Sequence, residues 1–86
     1  MRWLDIVADD KTLSPDAKLL AQVLVKFETM APNYVTVLDA ELADAMNVGL
    51  PIMWNAKREL EQAGHLRRLS CHAGKAPNYK LSTARW

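Results

Sequence analysis

A chain of 86 residues, half of them hydrophobic and 24% charged, has room for one small domain and enough apolar side chains to build a core. Its single cysteine excludes an internal disulfide framework and a multi-cysteine zinc site, and no apolar run approaches the ~18–20 residues of a membrane span. The net charge of +1 conceals an imbalance: residues 1–56 hold four basic and eight acidic groups, whereas residues 57–86 hold seven basic and two acidic. The C-terminal part therefore has the sign suited to an anionic partner.

The opening Met1-Arg2-Trp3-Leu4-Asp5 carries an acid early and lacks the apolar stretch of a signal peptide, so the cytoplasm is the expected compartment. Trp3, Leu4, Ile6 and Val7 form a short apolar segment, helix or strand, ended by Asp9-Asp10-Lys11. Ser14-Pro15-Asp16 reads as a helix start, with Ser14 as cap, Pro15 in the first turn and Asp16 favouring the helix dipole. Leu19, Leu20, Val23, Leu24 and Phe27 recur at helical spacing to about Glu28, with Lys18, Gln22 and Lys26 on the wet side. Ala31-Pro32-Asn33 breaks the chain, and Tyr34 to Val37 is a short β-prone run.

A second helix is predicted over Asp39–Met46, with Asp39 as cap and Leu42, Ala43, Ala45 and Met46 as its apolar positions. Asn47-Val48-Gly49 is a tight turn in which Asn47 tolerates the left-handed conformation. A third helix follows from about Pro51 to Ala63, and Gly64 ends it. Leu66–Cys71 and Asn78–Leu81 read as two strands joined by a loop over His72–Pro77. Three helices followed by a β-hairpin give a mainly α fold, a three-helix core plus a wing.

Specific stretches sharpen that order. Leu13-Ser14-Pro15-Asp16-Ala17-Lys18-Leu19-Leu20, Glu41 to Val48, Lys57 to Arg68 and Asn78-Tyr79-Lys80-Leu81 together resemble the winged helix-turn-helix superfamily, which includes bacterial, phage and plasmid regulators and replication initiators. The resemblance runs over about residues 12 to 82. Ala43 suits the close approach of the second helix to the third, and Val48 is placed to plug the core between them. The chain departs from the family pattern in two places. Lys57 stands where a bulky apolar group is usual, and its stem is expected to cover the core while its charge reaches water. Gly49, Leu50 and Ile52 stand where Ser, Arg and Thr are usual.

With Met53 at the centre of the buried face and about 100° per residue, Leu60, Ala56, Ala63 and Ile52 fall on the core side of the third helix. Pro51, Trp54, Asn55, Arg58 and Gln62 face outward. The resemblance implies that this outward face enters the major groove of DNA. Asn55 and Gln62 have the geometry to pair with adenine, and Arg58 with guanine or a phosphate. The leading edge is poor in donors. Leu50 and Trp54 suit thymine methyl groups, or, with Ile52, a protein partner; the alternative for Trp54 is cover by the first segment through Trp3 and Leu4.

In the wing, Arg67, Arg68, His72, Lys75 and Lys80 cluster on a hairpin with Gly74 near its tip, which suits the DNA backbone or minor groove. The other reading is a solvated edge strand blunted by charge. Catalysis finds no support: Cys71, His72 and His65 lack zinc-ligand spacing, Ser14 is a helix cap, and no Gly-rich phosphate loop is present. No metal or cofactor is expected. The expected protein is a double-stranded-DNA-binding transcriptional regulator, a repressor acting as a homodimer on a two-fold site. A protein-interaction winged helix and an accessory of plasmid or phage replication or partition are the alternatives.

Overall fold

A computed structural model describes residues 3–28, 33–69 and 78–82. Among the described residues four helices, α1 (Trp3–Asp9), α2 (Pro15–Lys26), α3 (Asp39–Met46) and α4 (Leu50–Gln62), and three strands, β1 (Tyr34–Thr36), β2 (Leu66–Arg68) and β3 (Asn78–Leu81), follow one another in the order α1-α2-β1-α3-α4-β2-β3. The strands form one antiparallel sheet in the order β1-β3-β2. The fold is a mainly α winged helix-turn-helix: α2, α3 and α4 form the helical core and β2–β3 the base of the wing. The first apolar segment is helical, because Trp3, Ile6 and Val7, at i, i+3 and i+4, all reach the interior.

Local chemistry sets the helix limits. Ser14 holds extended backbone and its Oγ accepts the Ala17 N–H at 3.3 Å, so α2 begins as its cap and proline require. Glu59 of α4 tightens this end: its carboxylate accepts the Ser14 N–H at 3.0 Å and the Ser14 Oγ–H at 2.6 Å. The start of α3 differs from expectation. Leu38, not Asp39, occupies the cap position, and Glu41 Oε1 accepts the Leu38 N–H at 3.2 Å. Asp39 lies inside the first turn, which frees its carboxylate for other work.

Helices α3 and α4 end alike. Asn47 adopts φ 59°, and the N–H groups of Asn47 and Val48 return to the carbonyls of Asp44 and Ala43 at 3.0 and 3.1 Å. Gly64 adopts φ 81°, and the N–H groups of Gly64 and His65 return to Glu61 and Leu60 at 3.1 and 2.9 Å. Both are Schellman closures, in which a left-handed residue lets the chain turn back over its own last carbonyls.

The core runs through all elements. Leu20 and Leu24 of α2, Leu42 of α3, Met53 and Leu60 of α4, Val35 of β1 and Tyr79 and Leu81 of β3 are fully buried. Val48 packs against this cluster from the turn, in the role expected of it. Three expected core positions do not hold. Leu19, Ala45 and Ile52 are exposed, because each lies at the rim of its helix's apolar stripe, where a helical wheel alone cannot say how far the neighbouring element extends.

Trp3 closes the molecule. Its indole Nε1–H lies 2.7 Å from the carbonyl of His65 and 3.0 Å from that of Ser82, so α1 is fastened both to the α4–β2 link and to the end of β3. The first segment is thereby committed to the core, and it does not cover Trp54, which is 46% exposed. Nearby, His65 is buried and its Nε2 lies 2.7 Å from Asp10 Oδ2.

Candidate nucleic-acid interface

The surface of α4 follows from the phase of its buried stripe. Met53, Ala56 and Leu60 face the core, which leaves Pro51, Trp54, Asn55, Arg58 and Gln62 exposed, as the wheel predicts. Asn55, Arg58 and Gln62 are spaced three and four residues apart and make one polar ridge along the helix. Leu50 and Ile52 at its N-terminal end are 38% and 45% exposed. They lie on opposite flanks of the helix, 200° apart by about 100° per residue, so Leu50, Ile52 and Trp54 do not form one continuous apolar patch.

A polar cluster sits where α3, α4 and β3 meet. The Lys57 ammonium lies 2.7 Å from Asp39 Oδ1 and 3.0 Å from the Tyr79 hydroxyl, and 5.3 Å from the centre of the Tyr79 ring. Its charge is therefore paired within the fold rather than delivered to water. Burial pushes the Lys57 pKa down, but the Asp39 and Tyr79 hydrogen bonds outweigh that and leave it raised. For Asp39, burial favours the neutral acid; the Lys57 hydrogen bond and charge, the Trp54 N–H and the Arg68 charge reverse this and hold the carboxyl below its ordinary value. The Trp54 Nε1–H donates to Asp39 Oδ2 at 3.2 Å. Sequence reasoning missed this role of Asp39, since a partner 18 residues away leaves no periodic signal.

The pleat of the sheet divides the basic residues of the wing. Arg68 pairs across the ladder with Tyr79, and Tyr79 with buried Val35; Arg67 pairs with Lys80, and Lys80 with exposed Tyr34. Directly opposed residues share a face. Arg68 thus belongs to the face turned toward Asp39 and α4, whereas Arg67 and Lys80 lie on the outer face, where the Lys80 ammonium stands 5.9 Å from the centre of the Tyr34 ring. The sequence suggested one cluster; among its described members, the structure brings Arg68 alone toward Asp39. His72 and Lys75, with Cys71 and Gly74, lie outside the described residues. Among the described residues no three His, Cys, Asp or Glu side chains come together to hold a metal ion, and no helix is long and apolar enough to cross a membrane.

A tight turn between α3 and α4, followed by a two-stranded wing paired to β1, defines the class as a winged helix-turn-helix fold. Among solved structures, the chain is similar to one described as the N-terminal domain of a DNA-binding protein, with a TM-score of 0.65 and 20% identity. The match covers 85% of this chain and 63% of that one, so the chain spans less than two thirds of that neighbour's length. At this identity the likeness is one of fold. No protein-family model and no curated protein matches the chain.

Proposed function

We propose that this chain is a double-stranded-DNA-binding regulator, a repressor without catalytic activity of its own, which places α4 in the major groove. The observation that carries this reading is the polar ridge Asn55, Arg58 and Gln62, solvent-exposed along the helix that follows the tight turn. These are the side-chain types that pair with base edges and phosphates. Arg68, whose charge acts on Asp39, adds a cation near the α3–α4 junction, and the likeness of fold to a domain of a DNA-binding protein is in keeping with this reading. The chain acts as a homodimer, because one helix reads only a few base pairs and a two-fold site doubles the recognition.

The test begins with duplexes selected from a random pool. Binding is expected to weaken steeply as salt rises. Asn55→Ala is expected to lose about 1–3 kcal/mol on the selected site and almost nothing on random duplex. A second reading, a protein-docking winged helix, is favoured by the exposure of Ile52 and Trp54 at 45% and 46%. It requires the opposite ranking: Trp54→Ala abolishes assembly on a sizing column, and Asn55→Ala changes no DNA affinity. That pattern would rule out groove reading by α4.

A further inference from the structure

The two halves of α4 offer different chemistry. Asn55, Arg58 and Gln62 supply polar atoms, but Leu50 and Trp54, one turn apart on one flank, supply carbon. A half-exposed indole on a helix surface ordinarily samples several rotamers, and ordering it on binding costs affinity. Here the ring is held beforehand. Its polar atom, Nε1, is turned to Asp39 Oδ2, while the other oxygen of that carboxylate receives the Lys57 ammonium at 2.7 Å. Lys57 is in turn fixed by the hydroxyl of Tyr79, a fully buried residue of β3. The chain of contacts thus runs from the core to the surface and ends on an indole with its only donor already used. What Trp54 presents outward is apolar.

The major groove contains one apolar recognition feature, the C5 methyl of thymine. We propose that Leu50 and Trp54 read thymine methyl groups, that Asp39 is the positioning residue that sets the indole for this contact, and that the preferred DNA is therefore A·T-rich beneath the start of α4. This rests on the reading of α4 as the groove helix. Asn55 stands next to Trp54 in sequence and adds the adenine partner of such a step, through N6 and N7. Neutralisation by Lys57 removes the main objection to a carboxylate at this place, which is repulsion of the approaching phosphates.

The experiment replaces thymine by deoxyuridine at each position of the selected duplex, which removes the methyl and nothing else. The unaltered protein is expected to bind about four-fold more weakly for each contacted methyl, the worth of one buried carbon. Trp54→Ala is expected to lose that preference at the positions the indole covers. Asp39→Asn keeps the shape but leaves one acceptor oxygen for two donors. The thymine preference is expected to fall toward unity in this variant, while binding to random duplex holds or tightens through the lost negative charge. Equal binding of thymine and deoxyuridine duplexes by the unaltered protein overturns the methyl reading and leaves DNA binding standing. A full thymine preference in folded Asp39→Asn overturns the role of Asp39. If no duplex is bound at all, the DNA reading itself fails, and this inference with it.

Discussion

Asp10 shows how one side chain can govern behaviour far from any binding surface. Its carboxylate accepts the Thr12 hydroxyl at 2.6 Å, the His65 ring nitrogen at 2.7 Å and the Thr12 N–H at 2.9 Å. The Thr12 hydroxyl hydrogen bond, then that of His65, then the Thr12 N–H lower its pKa well below the ordinary carboxyl value, against a smaller opposing effect of burial. A carboxyl with a depressed folded-state pKa contributes stability that is complete above the unfolded pKa, near 3.9, and is lost as pH falls below it. Asp10→Asn is accordingly expected to lower the melting temperature at pH 7 and to flatten the decline of stability below pH 4. Parallel melting profiles for the two proteins over pH 2 to 5 would remove Asp10 from the acid response. The Ser14 cap and the Asn47 turn were legible in the sequence, because each depends on neighbours within a few residues. The Asp10–His65 and Asp39–Lys57 pairs were not, because the partners meet only after the helices have packed.

At the scale of the element, α4 has to satisfy two surfaces at once. Leu60 is fully buried on its inner side, within the same cluster as Leu20 and Leu24 of α2. Leu60→Ala is expected to cost about 2–4 kcal/mol through lost transfer energy and the cavity left behind. In a domain of this size that lowers the melting temperature by roughly 10–25 °C, and calorimetry on the two proteins checks it; a shift of one or two degrees would place the buried stripe elsewhere. The inner face was readable because apolar residues at positions 53, 56 and 60 repeat at the helical period. Its margins were not. Ile52 lies about 100° from Met53, and its exposure depends on where α2 stops covering α4. Lys57, about 40° to the other side, lies on the half-buried margin, and its charge finds Asp39 there.

For the whole molecule, the distribution of charge decides how DNA would be approached. The acidic first turn of α3 holds Asp39, which contacts Trp54 and Lys57 of α4, and exposed Glu41, and the same helix carries exposed Asp44. The cations that matter are therefore those placed beside them, not the total. Arg58 is exposed on α4, Arg68 has its charge near Asp39, and Lys80 lies on the outer face of the sheet. Arg58→Ala and Arg68→Ala are each expected to reduce the salt slope of duplex binding by about one, whereas Lys80→Ala leaves the slope unchanged. Affinity measured at four or five salt concentrations distinguishes these outcomes, and a flattened slope for Lys80→Ala alone would turn the docking face around. Sequence charge alone made one basic hairpin of these residues. The alternation of side chains along a strand, visible once β2 is in register with β3, separates them.

The indole of Trp3 also sets an order in time. Its two acceptors belong to residues 65 and 82, separated from it by 62 and 79 positions along the chain. During synthesis Trp3 precedes both of its acceptors: the His65 carbonyl is made just before β2, and the Ser82 carbonyl only after β3. Helices α2, α3 and α4 are made before Ser82, and they pair through contacts closer in sequence. The two bonds that fasten α1 thus wait for residues distant in sequence, and the one to Ser82 is the later of the two.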